Sequence, residues 1–185
     1  STHTVGDPWA QLKVTGAGSK IVSAVKSMTV RGNHAGLFIE KGGAVDVNAL
    51  SVGGSTGSIV NGDLASENTL VSLDDGTVDV NDFGMGWPDS KQVCPQLVLK
   101  GAASAVRVKN LITVYEKHGA RFSFEVPAGG YGATPITAKA LSIASRTTGT
   151  DYGALCVEVS AKDWMRANRS ATQPLVTLTD ANPTA

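Results

Sequence analysis

The chain has 185 residues and a mass of 19.0 kDa, enough for one domain with a sizeable core, and its 16 basic and 16 acidic side chains cancel. With zero net charge and no Lys/Arg run it has nothing to track a phosphate backbone, and no apolar run approaches bilayer-spanning length; nucleic-acid binding and membrane insertion of this segment are therefore not expected. A charged share of 17%, a hydrophobic share of 42% and 21 glycines argue against a disordered chain and for β-structure with many turns.

In chain order, short apolar runs come first in each of several units: LKV at 12–14, LFI at 37–39, LVSL at 70–73, LVL at 97–99 and FSF at 122–124. Turn-formers follow them (TGAGS, EKGG, DDG, KGA and PAGG). Next comes strict alternation, Val45-Asp46-Val47, Val78-Asp79-Val80 and Val106-Arg107-Val108, the period of a half-buried strand. Each unit then carries a five-residue pattern of polar, variable, large apolar, small and apolar residues: KSMTV at 26–30, NALSV at 48–52, NDFGM at 81–85, NLITV at 110–114 and KALSI at 139–143. Residues 43–52, GAVDVNALSV, and 76–85, GTVDVNDFGM, are nearly one sentence written twice. LCVEV at 155–159 and LVTL at 175–178 read as further first strands, and SAKDWMRANRS at 160–170 as a short helix near 161–168 capped by Ser160.

Units of 22 to 33 residues that cannot bury their own apolar side chains imply stacking. The predicted fold is all-β: a right-handed single-stranded parallel β-helix of about 5–7 coils, three short strands per coil, forming one domain over residues 1–185. A β-sandwich, with the Asn residues as ordinary turn-formers, is the alternative. The stacked register puts Val45, Val78 and Val106 in one inner column, Val47, Val80 and Val108 in another, and Leu50, Phe83, Ile112 and Leu141 in a third. Asn48, Asn81 and Asn110 form a corner ladder, where Asn suits the backbone and its amide can bond to the next copy, with Lys26 and Lys139 at the ladder's ends. Asp46, Asp79 and Arg107 line up outside.

Catalytic chemistry is sparse. No GxSxG, HExxH, P-loop or helix-opening GxGxxG occurs. LDDGTVDVND, 73–82, packs four carboxylates but lacks the ligand order of an EF-hand, so Asp74 and Asp75 read as turn residues rather than a calcium site. The His-bearing loops RGNHAG, 31–36, and EKHGAR, 116–121, fall on non-adjacent coils. Cys94 and Cys156 form no C-x-x-C pair and read as buried free thiols, with a disulfide between them as the alternative. No metal, cofactor or catalytic group is expected. A ligand, if one binds, would be a carbohydrate meeting Trp87 in the loop at 84–95 beside Asp79 and Arg107, since an aromatic ring in a loop can stack on a sugar.

The units GLFIEKGGAVDVNALSVGG and TLVSLDDGTVDVNDFGMG resemble the autotransporter-type, passenger-like β-helix repeats of bacterial surface proteins. FSFEVPAGGYGATPITAKALSIA, LCVEVSAKDW and PLVTLTDA are similar to the late part of such regions, and the likeness covers most of residues 10–180. It carries no binding or catalytic signature, so no functional residue is transferred. The resemblance implies secretion or attachment to the bacterial outer membrane, and a non-catalytic structural or adhesive role. Such regions usually run for many more coils, so it also implies a fragment of a larger protein. The expected partner is a host or matrix glycan or another surface protein, bound by a monomer. The alternatives are a carbohydrate-active β-helix lyase or hydrolase and a trimeric phage tail-spike domain.

Overall fold

The computed structural model describes residues 3–5, 10–31, 35–53, 69–86, 95–114, 120–143, 155–160 and 174–180. These hold β1 (His3–Val5), β2 (Gln11–Thr15), β3 (Lys20–Val30), β4 (Gly36–Glu40), β5 (Ala44–Val52), β6 (Leu70–Asp74) and β7 (Thr77–Met85). They continue with β8 (Gln96–Lys100), β9 (Ala105–Val114), β10 (Ala120–Glu125), β11 (Ile136–Ile143), β12 (Leu155–Ser160) and β13 (Val176–Leu178), and no helix occurs among them. The helix expected near 161–168 falls outside the described residues.

From β2 onward the chain alternates between two sheets. Even-numbered strands form one, in the order β2-β4-β6-β8-β10-β12, and odd-numbered strands the other, from β1 to β13. Every neighbouring pair is parallel. A sandwich of antiparallel hairpins is thereby ruled out for these strands, because consecutive strands never pair with each other.

The inner columns follow the pattern of the sequence. Val45 pairs with Val78 and Val78 with Val106; Leu50 pairs with Phe83, Phe83 with Ile112 and Ile112 with Leu141. On the even-numbered sheet Leu12, Leu37, Val71, Leu97, Phe122 and Val157 form one column, and Val14, Ile39, Leu73, Leu99, Phe124 and Val159 the next. Inward residues of both sheets meet in a single core cluster, in which the side chains of the middle strands are almost wholly shielded from water. Each full burial of a Val, Leu or Phe contributes roughly 1.5–3 kcal/mol, so stacking supplies what a lone unit lacks.

Two expectations need correction. The second and third strands of a unit are one continuous strand, not two: β5 runs unbroken through Asn48 and β7 through Asn81. What changes at the corner is the phase. Val45 and Val47 point inward, Asn48 and Ala49 do not, and Leu50 and Val52 point inward again, so both halves face the same core. Moreover, residues 175–178 do not open a new first strand. β13 pairs with β11 on the odd-numbered sheet, whereas β12 lies beside β10, so β12 and β13 belong to one unit. The run LVTL resembles a first strand only because both sheets demand the same alternation.

The turn leaving each even-numbered strand is itself stacked. Gly16, Lys41, Asp75 and Gly101 follow the register-matched Thr15, Glu40, Asp74 and Lys100, and all four adopt positive φ, at 94°, 52°, 55° and 63°. Glycine takes this conformation freely and Asp tolerates it, but for Lys it costs about 1–2 kcal/mol. Lys41→Gly should therefore raise stability by about 0.5–1 kcal/mol after glycine's entropic cost, measurable as a higher urea midpoint with unchanged slope.

Candidate functional site

The outward face of the odd-numbered sheet carries the predicted charged column. Asp46 pairs in register with Asp79 and Asp79 with Arg107. Alternation puts their neighbours Val45, Val47, Val78, Val80, Val106 and Val108 in the core and leaves these three in solvent. Each carboxylate has a cation: Lys20 Nζ lies 3.1 Å from Asp46 Oδ2, and Arg107 Nη1 donates to Asp79 Oδ1 at 3.3 Å and to Oδ2 at 3.4 Å. The side chains are 40–55% exposed.

The same arrangement recurs on the other sheet. Lys13–Glu40, Lys100–Glu125 and Arg121–Glu158 each join adjacent strands at 2.8–3.3 Å. Arg121 Nε approaches Glu158 as an ion pair without hydrogen-bond alignment. Exposed pairs of this kind contribute about 0–1 kcal/mol each. They oppose like-charge repulsion along a stack of parallel strands and favour in-register pairing over slipped pairing.

Asn81 Nδ2 donates to Asn48 Oδ1 at 2.8 Å across the corner, linking two copies of the repeated sentence. The amide bond is not repeated between Asn81 and Asn110. Val80 pairs with Val108 and Phe83 with Ile112, so β9 holds one more residue than β7 in this interval, and the extra residue is absorbed as a bulge around Lys109 and Asn110. Lys26 and Lys139 lie in the matching irregularities of β3 and β11. Trp87, the ring proposed for sugar stacking, and the His residues of the two loops fall outside the described residues, so Asp79 and Arg107 are the part of that trio the structure places together.

The acidic turn at residues 74–76 has a mechanical use. Asp75 Oδ1 accepts from the Ala103 N–H at 2.9 Å, and the Asp75 N–H donates to Ser104 Oγ at 2.9 Å. The Ser104 hydroxyl in turn donates to the Lys100 carbonyl. The carboxylate thus ties one turn to the next, and among the described residues no three His, Cys, Asp or Glu side chains converge as a metal site. Cys156 is a free thiol but an exposed one, contrary to the buried thiol expected, because β12 is the last strand of its sheet and residue 156 points outward. Cys94 lies outside the described residues.

Sequence reasoning missed Tyr131. In the connection from β10 to β11 its ring meets Phe124 edge-on, with centroids 6.4 Å apart and planes at 79°, and its hydroxyl donates to the Leu99 carbonyl at 2.8 Å. The surrounding GGYGA stretch reads as a plain turn; only the large ring among glycines hinted at an anchor. Burial, chiefly, and then the Glu125 charge push the phenol's pKa upward. A raised folded-state value means a contribution to stability that is intact below the ordinary phenol value, about 10, and is lost as pH climbs from there towards the folded value. Tyr131→Phe should cost about 1 kcal/mol at neutral pH but destabilise less than the wild type on moving to about pH 11, as read from urea midpoints at the two pH values.

No family model, no curated protein and no solved structure matches the chain.

Proposed function

We propose that the chain is a stretch of right-handed single-stranded parallel β-helix, of about six coils, that serves as a non-catalytic stalk or display segment of a secreted or surface-anchored bacterial protein. The observation that carries this reading is the use made of the outward side chains. Ten charged side chains of the described strands form ion pairs between neighbouring strands, and the carboxylate of Asp75 goes into a turn-to-turn tie. The inward ones form one continuous core. Right-handed crossovers between parallel strands support the hand of the coil, and alternation between two parallel sheets supports the coil itself. A shaft of this kind resists bending because each interior strand is hydrogen-bonded on both sides, and its outer surface can vary without disturbing the core. Adhesion to a glycan or to another surface protein would use that outer surface.

Two measurements test it. Incubation with neutral and acidic polysaccharides should give no cleavage; cleavage by the wild type that Asp79→Asn abolishes would replace the stalk with a carbohydrate-active enzyme. Antibodies raised against the chain should label intact cells that make the whole protein. Labelling only after lysis would remove the surface role, and a stable trimer in solution would favour a tail-spike domain.

A further inference from the structure

We draw no further inference here: the strongest candidate, the half-buried apolar patch of Phe38, Leu70 and Val98 on the outward face of the even-numbered sheet, carries nothing because nothing in the structure shows what covers it.

Discussion

Val78→Asp is expected to unfold the protein or bring it close to unfolding at room temperature, whereas Asp79→Ala, one residue away, should leave it folded. Val78 is fully buried between Val45 and Val106, and a carboxylate there would have no cation and no water. Removing a packed side chain and burying an unpaired charge together cost at least about 4–5 kcal/mol, against a total stability of about 5–15 kcal/mol for a domain. Asp79 faces solvent and is 40% exposed beside Arg107. Its removal should cost at most about 1 kcal/mol. Circular dichroism with urea titration separates the two outcomes, and a folded Val78→Asp variant of near-normal stability would show that residue 78 is not in the core.

The second large effect is expected at Gly76. A Cβ there would overlap the carbonyl of Ile39, backbone of the neighbouring strand that cannot swing aside as a side chain can. Gly43 stands in the same relation to the Val14 carbonyl, and the Thr77 N–H donates to the Gly43 carbonyl at 3.1 Å, so these glycines are stacked at the point where strands approach most closely. Gly76→Ala forces that approach apart and should cost about 2–4 kcal/mol. Gly129→Ala, with nothing near its Cβ position, should change stability by about 0.5 kcal/mol or less. Equal losses from the two substitutions would contradict the close approach.

The pairing of Val45 with Val78 and Val106 was legible because burial of one strand face imposes alternation, and alternation survives in Val-Asp-Val and Val-Arg-Val whatever the loops between them do. The corner was legible through Asn48 and Asn81 but not at Asn110, because one added residue in β9 moves an amide out of reach without altering the apolar pattern on either side. The single continuous strand could not be read from the sequence: a one-residue phase slip within β5 looks the same as a break between two strands. Nor could the sheet assignment of residues 176–178, since both sheets ask for the same alternation, and the difference lies in what precedes the strand.

Asp46, Asp79 and Arg107 could be aligned by repeat, but Lys20 could not, because it stands in register with Ala44 and reaches Asp46 diagonally. Tyr131 was invisible for a related reason. Its partners Phe124 and Leu99 belong to different strands, and no periodicity marks a residue that anchors a connection. Lys41 in a left-handed turn was hidden as well; only stacking beneath Asp75 and above Gly16 holds a lysine in that conformation.

The measurement that bears most directly on the stacked architecture is a methyl–methyl nuclear Overhauser map of the protein with labelled Val, Leu and Ile methyl groups. The expected result is an unbroken chain of contacts Val45–Val78–Val106, matched on the other sheet by Leu37–Val71–Leu97. Absence of the Val45–Val78 contact, or contacts of Val78 confined to residues near it in sequence, would contradict it.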